Sequence, residues 1–394
     1  MKKIKSSMLT IILLALTFTG IYGQNGQDIV TGADQTERYL SSLVGKNVAM
    51  TINQTSTIGT KLSLDSLLSL GIKVVKGFGA EHGFRGGNSY DSVDVKTGVP
   101  TISLYRGKNK PTKEDLAGVD VMIFDMQDVG TRFYTFLATL HYIMEACAEN
   151  DVELIILDRP NPNDSYIDGP VLEEQQKSFV GLNPIPILHG MTFGEYALMI
   201  NGEGWLANKI QCKLKIITML NYSHGKPYTL PIPPSPNLNT QQSILLYPSL
   251  CLFEGTVISQ GRGTKPLIAF TVLGNPDLKG KYPFSFKVIN RGRDNSVPTT
   301  TKCYGLDLRS YDTNIFKETG RINLSWLIEL YNAYPDKANF FKKGTNGSYY
   351  FDKLAGTSKL REQIIAGKTE QEIRDSWEPA LSQYKEMRKK YLIY

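Results

Sequence analysis

The sequence predicts an α/β protein in which a mostly parallel, doubly wound sheet domain is followed by a smaller α+β domain. Two observations support this fold class. In the first half, apolar strand-like runs alternate with helical patterns, and from about residue 220 the chain becomes proline-rich and then carries shorter strand-like runs. Such alternation is typical of parallel sheets with helices on both faces. We expect the sheet domain at residues 24–255 and the smaller domain at residues 256–394.

Each element of the first half follows from a local pattern. Apolar runs predict strands, and an apolar period of 3.6 residues predicts helices. In chain order these are a strand at "NVAMTIN" (47–53), a helix near 62–70, a strand at "IKVVKGF" (72–78), a short helix near "PTKEDLAG", a strand at "VDVMIFD" (119–125), a helix from Phe133 to Ala148 and a strand at "VELIILD" (152–158). The short helix is predicted from Thr112 and Asp115, which resemble a capping box. The tail from residue 373 predicts a closing helix with Trp377, Leu381, Tyr384 and Tyr391 on one stripe.

The amino terminus predicts a secretory signal peptide at residues 1–23. Lysines come first, an apolar run extends from Met8 to about Phe18, and small residues follow near Gly20 and Gly23. The apolar run is too short to span a bilayer comfortably, and no later run approaches the roughly 20 residues that a membrane helix requires. We therefore expect a protein that is secreted across the inner membrane into the periplasm and is not stably inserted in a membrane.

The charge balance and the cysteines argue against several partners and cofactors. The chain has 44 basic and 38 acidic side chains, a balance that favours no nucleic acid or other polyanion. Its four cysteines, Cys147, Cys212, Cys251 and Cys303, are scattered without a C-x-x-C pair. Neither a zinc site nor a dense disulfide framework is indicated, although a single disulfide stays open. We expect no cofactor and no metal ion.

The stretch "GFGAEHGFRGG" (residues 77–87) has the glycines of a phosphate-binding loop, but its spacing misses that pattern. A dinucleotide-binding G-x-G-x-x-G motif would need glycine at position 82, where the sequence has His82. The carboxylate of Glu81 would also repel a phosphate. Glu81 is instead a candidate proton donor, held on a glycine-flanked turn beyond a buried strand. The alternative is a carboxylate that only accepts hydrogen bonds from its own loop.

Three strands of the predicted sheet end in polar stretches. Glu81 and His82 follow one strand, "DMQDVGTR" (125–132) follows another, and "DRPNP" (158–162) follows a third. Because ligands of open α/β sheets bind outside the carboxyl ends of the strands, we expect these stretches to converge on one cleft. Asp125 and Asp128 are candidates there, although aspartates at strand ends often only cap the next turn.

Other candidates allow a functional and a structural interpretation. Asp158 and Arg159 lie on a proline-stiffened segment, where they either face a ligand or form a structural pair. His189 precedes a helix that it could simply cap. Arg262 lies between two glycines, an arrangement that can expose its guanidinium to a carboxylate or phosphate. The alternative is a surface arginine on a turn.

Several motifs, taken in order, resemble those of the exo-β-N-acetylmuramidase family. They are "GAEHGFRG", "DVGTRFYT", "DRPNP", "LHGMTFGEYA", "LFEGT", "GRGT" and the closing "SW" and "RKKYLIY", and they span almost the whole chain after the leader. The resemblance implies a Rossmann-like domain, a smaller α/β domain and a glutamate in the cleft between them, which is Glu81 here. It also implies release of terminal N-acetylmuramic acid from the non-reducing ends of peptidoglycan fragments.

The chemistry of glycoside hydrolysis fits these residues. Such enzymes commonly use two carboxylates, one to protonate the leaving oxygen and one to activate water or attack carbon. Glu81 is the expected proton donor, and the second group is Asp125, Asp128 or the sugar's own acetamido oxygen. An arginine would read the lactyl carboxylate of muramic acid bidentately. The expected substrate-binding residues are His82, Arg85, Arg132, Asp158, Arg159, His189, Glu254 and Arg262, and the arginine that reads the lactyl group is Arg262, Arg85 or Arg132.

Two other functions share part of this evidence. A periplasmic protein that binds cell-wall fragments would also be exported and would also have two α/β domains around a cleft. A metal-dependent cell-wall hydrolase would use His82, His189 and a carboxylate as metal ligands. In all three cases the expected partner is a saccharide derived from peptidoglycan.

Overall fold

The computed structural model describes residues 28–86, 92–105, 107–289 and 296–394. The predicted signal peptide lies outside these residues. None of the helices in the described ranges has the length and apolar character that crossing a membrane requires.

The described ranges contain eleven strands and nine α-helices. The strands are β1 (Val48–Ile52), β2 (Thr57–Ile58), β3 (Lys61–Leu62), β4 (Val74–Gly79), β5 (Thr101–Ser103), β6 (Val121–Asp125), β7 (Glu153–Leu157), β8 (Leu214–Ile217), β9 (Val272–Asn275), β10 (Phe284–Val288) and β11 (Thr301–Asp307). The helices are α1 (Ser63–Ser69), α2 (Phe136–Glu149), α3 (Phe193–Gly202), α4 (Gln241–Leu250), α5 (Asn314–Thr319), α6 (Ser325–Ala333), α7 (Tyr350–Ala355), α8 (Lys359–Ile365) and α9 (Glu370–Arg388).

A six-stranded parallel sheet forms the first domain, with the strand order β5-β4-β1-β6-β7-β8. The chain enters at β1 in the middle, winds outward through β4 and β5, and then winds the other way through β6, β7 and β8. This is the order of doubly wound Rossmann-like sheets, so the predicted fold class is confirmed. The four predicted strands correspond to β1, β4, β6 and β7, and the two longer predicted helices correspond to α1 and α2.

Both faces of the sheet are covered, because successive strand residues point to opposite sides. Met122 and Phe124 of β6 pack with α2 and α3. Val121 and Ile123 of the same strand pack in a second apolar cluster with α1. Each of the four cysteines is a buried thiol in this structure.

The prediction of a short helix near residues 111–118 is wrong, because this segment contains only turns. The reciprocal contacts of the predicted capping box are nevertheless present. The Thr112 N–H donates to Asp115 Oδ2 at 2.7 Å, and the Asp115 N–H donates to Thr112 Oγ1 at 3.3 Å. The Leu116 N–H donates to the Thr112 carbonyl at 3.2 Å, but Gly118, with a φ of 73°, then turns the chain out of the helical path before β6.

The second domain is the smaller α+β unit that the sequence predicts. Its antiparallel sheet has the order β10-β11-β9. Helix α7 packs so closely on the 3₁₀ turn Cys251–Gly255 that a Cβ atom on Gly255 would lie 2.5 Å from the backbone of Phe351. The predicted closing helix is α9, and it returns to the first domain, where the Tyr384 hydroxyl donates to the His189 carbonyl at 2.7 Å.

The end of the chain covers a buried charged cluster beside α3. His224 contacts Asp164 through Nδ1 at 2.8 Å and Glu195 through Nε2 at 2.9 Å. Arg388 Nη2 lies 3.4 Å from the same Nδ1, and the Ile393 N–H donates to Glu195 at 3.0 Å. Burial alone would lower the pKa of His224, but hydrogen bonds to the two carboxylates raise it to about 9. A protonated imidazole therefore bridges the two carboxylates.

This bridge predicts a pH-dependent stability. The pKa of His224 is raised from about 6.5 in the unfolded chain, so its contribution is complete below that pH and is lost as the pH rises through about 9. The loss should be on the order of 3 kcal/mol in the free energy of unfolding, from about 1.4 kcal/mol for each pKa unit. Urea denaturation of the wild type and of His224→Gln at a series of pH values between these limits measures it. An equally steep decline in both proteins would contradict the assignment.

Candidate active site

A cavity of about 350 Å³ lies between the carboxyl edge of the large sheet and the second domain. Its volume is within the range of small-molecule sites, about 300 to 1,000 Å³. The first domain contributes Glu81, His82, Tyr105, Tyr134, Thr135 and Phe179 to the walls. The chain from α4 onward contributes Tyr247, Glu254, Arg262, Phe270 and Tyr350.

Glu81 reaches this cavity because the chain turns sharply after β4. Phe84 folds back over the strand, and a Cβ atom on Gly77 would lie 2.4 Å from its ring. A Cβ atom on Gly79 would lie 3.0 Å from the Phe84 nitrogen. The glycines of this stretch therefore provide room for a tight turn, and they cradle no phosphate. The turn is closed by a hydrogen bond from the Gly83 N–H to the Ala80 carbonyl at 3.0 Å.

The carboxylate of Glu81 is held by a side chain at the start of α2. Thr135 Oγ1 donates to Glu81 Oε2 at 3.0 Å. Tyr134, the preceding residue, is buried and donates its hydroxyl to the Pro234 carbonyl at 3.0 Å. Burial, with the charges of Asp128 and Glu81, raises the pKa of this tyrosine well above its usual value. Tyr134 is therefore a neutral wall of the cavity.

The chain after α4 contributes an ion pair to the cavity wall opposite Glu81. Arg262 Nη1 lies 3.2 Å from Glu254 Oε2, and both side chains are mostly buried. Glu254 is carried by the 3₁₀ turn Cys251–Gly255. Arg262 is presented by a loop in which Gly261 and Gly263 have φ values of 76° and 73°. Glycine adopts this left-handed conformation without the steric cost that a side chain would impose.

Tyr350 links the two acidic walls. It is 42% exposed at the cavity mouth, yet burial of its hydroxyl end, followed by the charges of Glu254 and Glu81, raises its pKa. The Tyr350 side chain therefore lies within electrostatic range of both carboxylates. Aromatic residues form much of the remaining wall, with ring centroids 6.3 Å apart for Tyr105 and Phe179 and 4.9 Å apart for Tyr247 and Phe270. Their large apolar faces suit the carbon face of a sugar.

The structure does not bring the predicted aspartates to this cavity. Asp125 is buried in an ion pair with Arg159 Nε at 2.6 Å. Asp128 is buried with its Oδ2 atom 3.2 Å from His189 Nε2. Asp158 accepts hydrogen bonds from the Thr192 hydroxyl at 2.7 Å, the Gly194 N–H at 3.0 Å and the Tyr394 hydroxyl at 2.7 Å. Burial raises the pKa of Asp158 to about 6 despite these bonds.

The sheet order explains this separation. Glu81 follows β4 and Asp125 ends β6, and β1 lies between these two strands. Neighbouring strands are about 4.8 Å apart, so the two strand ends are about 10 Å apart. The three polar stretches share one edge of the sheet, but the prediction that they converge on one cleft is wrong. Of the three, only the stretch with Glu81 and His82 lines the cavity, and the residues Tyr134 and Thr135 that line it follow the end of the second stretch.

Within the described residues, the chain itself occupies the position at the centre of this edge where doubly wound sheets bind a nucleotide. In doubly wound sheets the crevice opens between β1 and its neighbour on the other side, which is β6 here. The Ser56 hydroxyl donates to the Asp125 carbonyl, and Arg159 Nη2 donates to the Thr57 carbonyl at 2.8 Å. The chain after β1 thus fills the crevice with its own side chains.

Two of the three arginines expected to read the lactyl group are engaged elsewhere. Arg85 pairs with Asp65 at 2.7 Å and with Asp94 at 2.5 Å, and it lines a separate cavity of about 340 Å³ behind the Glu81 turn. Arg132 is buried, and its guanidinium donates to backbone carbonyls, including that of Leu354 at 2.8 Å. Burial lowers the pKa of Arg132 to about 9. Of the three, Arg262 is the one that lines the cavity.

The histidines do not assemble the ligand set that a metal-dependent hydrolase would need. His82 lines the cavity, whereas His189 is buried against Asp128 outside it. Across the part of the chain that the structure describes, no group of three or more histidine, cysteine or acidic side chains is placed to hold a metal ion. The metal-dependent alternative therefore finds no support in the geometry.

Several cavity residues were missed by reasoning from sequence. Thr135 stands in the quoted motif "DVGTRFYT", yet nothing in that motif signals a contact with Glu81. Tyr105, Phe179 and Tyr350 come from three distant segments, and only folding brings them together. Their local patterns carry no signal beyond that of ordinary aromatic residues.

The cavity indicates a class of protein. Two carboxylates, a paired arginine and aromatic walls, enclosed between an α/β domain and a smaller domain, are typical of glycoside hydrolases. Comparison with known proteins agrees with this class. The family model described as "Exo-beta-N-acetylmuramidase NamZ, N-terminal" matches residues 48–242, and the corresponding C-terminal model matches residues 245–394.

Individual relatives support the same grouping. The chain is 38% identical over 383 residues to the peptidoglycan beta-N-acetylmuramidase NamZ of Bacillus subtilis (strain 168), covering 90% of this chain and 89% of that protein. It is also similar to two solved DUF1343 family proteins from Bacteroides fragilis NCTC 9343. One is 43% identical with a TM-score of 0.85 and coverage of 93% of this chain and 99% of that chain. The other is 29% identical with a TM-score of 0.79 and coverage of 94% and 100%.

The chain therefore belongs to the exo-β-N-acetylmuramidase family of glycoside hydrolases, and the family resemblance seen in the sequence is confirmed. Membership of an enzyme family also removes the support for a pure binding protein. The two family models meet between residues 242 and 245, within α4, so Glu254 and Arg262 both fall in the C-terminal match.

The Thr135 contact predicts a measurable effect on catalysis. Thr135→Val keeps the side-chain shape and removes the hydroxyl that holds Glu81, which is worth about 1 kcal/mol. We expect kcat to fall about fivefold to tenfold, with little change in KM. Thr139→Val is the matched control, because Thr139 lies one turn later and its hydroxyl donates to the Thr135 carbonyl at 3.3 Å. Equal losses in both variants would show that the effect comes from the helix and not from Glu81.

Proposed function

We propose that this protein is an exo-acting glycosidase that releases terminal N-acetylmuramic acid from the non-reducing ends of peptidoglycan fragments. The observation that carries the proposal is the position of Glu81 and Arg262 on one cavity in a member of this family. The relative from Bacillus subtilis is named for action on peptidoglycan. The leader expected at residues 1–23 would deliver the enzyme to the periplasm, and the mass of the exported chain checks its removal.

Glu81 is the general acid of the proposed reaction. It is partly buried at the cavity wall, and its Oε2 atom accepts a hydrogen bond from Thr135. In the proposed reaction a carboxyl oxygen of Glu81 faces the glycosidic oxygen of a bound sugar. Protonation of this oxygen as the bond to carbon breaks is what makes the remaining sugar a good leaving group.

Arg262 is the proposed reader of the lactyl group. A guanidinium has five N–H donors in a fixed fork, so Arg262 can pair with Glu254 and also bind a second carboxylate. The lactyl carboxylate distinguishes N-acetylmuramic acid from N-acetylglucosamine. Arg262 is mostly buried, with 16% of its side chain exposed, and a charge-assisted hydrogen bond at such a site is stronger than at an open surface.

The general-acid role predicts the behaviour of Glu81→Gln. The amide preserves shape but has no proton to donate, so hydrolysis of a muramic acid disaccharide should fall by about 10² to 10⁴ in rate. A chromogenic muramic acid glycoside has a leaving group that needs no protonation, so its hydrolysis should fall much less. The measurement is kcat/KM for both substrates, with circular dichroism to verify folding. The same loss on both substrates would contradict a general acid.

The lactyl role predicts a change of specificity in Arg262→Ala. The wild type should prefer a muramic acid glycoside over the matched glucosamine glycoside, because the wrong sugar leaves the arginine without its carboxylate at a cost of about 1 to 3 kcal/mol. The variant should narrow this preference. The measured quantity is the ratio of the two kcat/KM values in each protein. If the ratio is unchanged, Arg262 has a structural role and another cation reads the lactyl group.

A further inference from the structure

The cavity holds a second carboxylate that faces Glu81 from the other domain. Among the described residues that line it, Glu81 and Glu254 are the two acids. Glu81 lies on the turn after β4 of the first domain, and Glu254 lies on the 3₁₀ turn that packs against α7 of the second. A sugar bound in the cavity would therefore lie between them.

The surroundings of Glu254 favour its ionised form. Arg262 Nη1 lies 3.2 Å from Oε2, and an opposite charge at this distance stabilises a carboxylate. Tyr350 lies close enough to Glu254 and Glu81 for both charges to raise its pKa, so the two acids border the same space. The side chain of Glu254 is 22% exposed, and this exposed part opens into the cavity that a substrate would fill.

We propose that Glu254 is the second catalytic carboxylate, and that it acts on the face of the anomeric carbon opposite to the leaving oxygen. This inference rests on the proposed glycosidase function and extends it. Asp125 and Asp128 were the expected candidates, but they are 0% and 2% exposed and face Arg159 and His189 in place of the cavity. Glu254 replaces them because it pairs with Arg262, lines the cavity and belongs to the domain opposite Glu81.

In the proposed reaction, Glu81 donates a proton and Glu254 provides a negative charge. The bond between the anomeric carbon and the leaving oxygen breaks, and the oxygen keeps the electron pair and takes the proton of Glu81. The negative charge of Glu254 stabilises the positive charge that develops on the anomeric carbon. Water adds its oxygen to that carbon, and the proton that it loses replaces the one that Glu81 gave. One water molecule is consumed for each bond cleaved.

The test uses Glu254→Gln in the full-length mature enzyme. We expect a loss of about 10² to 10³ in kcat on the disaccharide and also on the chromogenic muramic acid glycoside, because charge develops on carbon whichever group leaves. This pattern differs from that of Glu81→Gln, which a good leaving group rescues. Glu386→Gln is the matched control, since Glu386 is an exposed residue of α9 that pairs with Lys389 at 2.6 Å and does not line the cavity.

A second variant separates chemistry from structure. Glu254→Ala with added azide and the chromogenic β-glycoside should regain activity and form the α-configured glycosyl azide, because the small anion enters the space of the missing carboxylate. No rescue, a β-configured azide, or a Glu254→Gln rate close to that of the wild type would overturn the proposal. A wild-type enzyme that releases no N-acetylmuramic acid would instead refute the proposed function itself.

An effect through the ion pair alone is distinguished by Arg262→Ala. If Glu254 only held the arginine, both variants would lose the preference for muramic acid and retain most activity on the glucosamine glycoside. A catalytic Glu254 requires a different result, in which Glu254→Gln loses rate on both sugars and Arg262→Ala loses mainly specificity. Equal rate profiles of the two variants on both sugars would therefore overturn the catalytic assignment.

Discussion

Charge buried at the carboxyl edge of the parallel sheet must be paired, and the rest of the site depends on this constraint. The parallel strands place Asp125 and Asp158 side by side beyond β6 and β7, out of contact with water. Arg159 neutralises the first, and N–H and hydroxyl donors from α3 and the chain terminus satisfy the second. Removing one partner from such a buried arrangement typically costs about 3 to 5 kcal/mol. These contacts fix the floor beneath the cavity.

The cavity exists because a second domain closes over this floor. Arg132 connects the two parts, since its guanidinium donates to the carbonyls of Pro170 and Ile185 in the first domain and of Leu354 in the second, each at 2.8 Å. Leu354 itself lines the cavity. A residue that resembles a substrate-binding arginine in the motif "DVGTR" thus serves the architecture. Leu354 belongs to α7, which packs on the 3₁₀ turn that carries Glu254.

Two glycine-rich motifs act through geometry and not through phosphate binding. In the first, Gly77 and Gly79 make room for Phe84, and the resulting turn directs Glu81 outward. In the second, left-handed glycines on both sides of Arg262 shape the loop that brings it to Glu254. Each motif therefore presents one charged side chain from one domain. Glu81 and Arg262 are both brought to the cavity in this way.

The sequence alone determined the doubly wound sheet, its four main strands, the smaller second domain and the placement of Glu81 beyond a strand end. These features follow from apolar periodicity and from short motifs, which are local properties of the chain. The family resemblance added the expectation that Glu81 is the acid in a cleft between domains. Arg262 could also be predicted as a site residue from the sequence, because it lies between two glycines.

Tertiary structure alone decided which charges face the cavity. Asp125, Asp128, Asp158 and Arg159 have the local appearance of site residues, yet each finds a buried partner that lies far away in the chain or on a neighbouring strand. The contacts of Glu81 with Thr135 and of Glu254 with Arg262 depend on strand order and on the packing of the second domain. A sequence pattern records which residues follow a strand, but burial and pairing depend on neighbours that only the folded chain supplies.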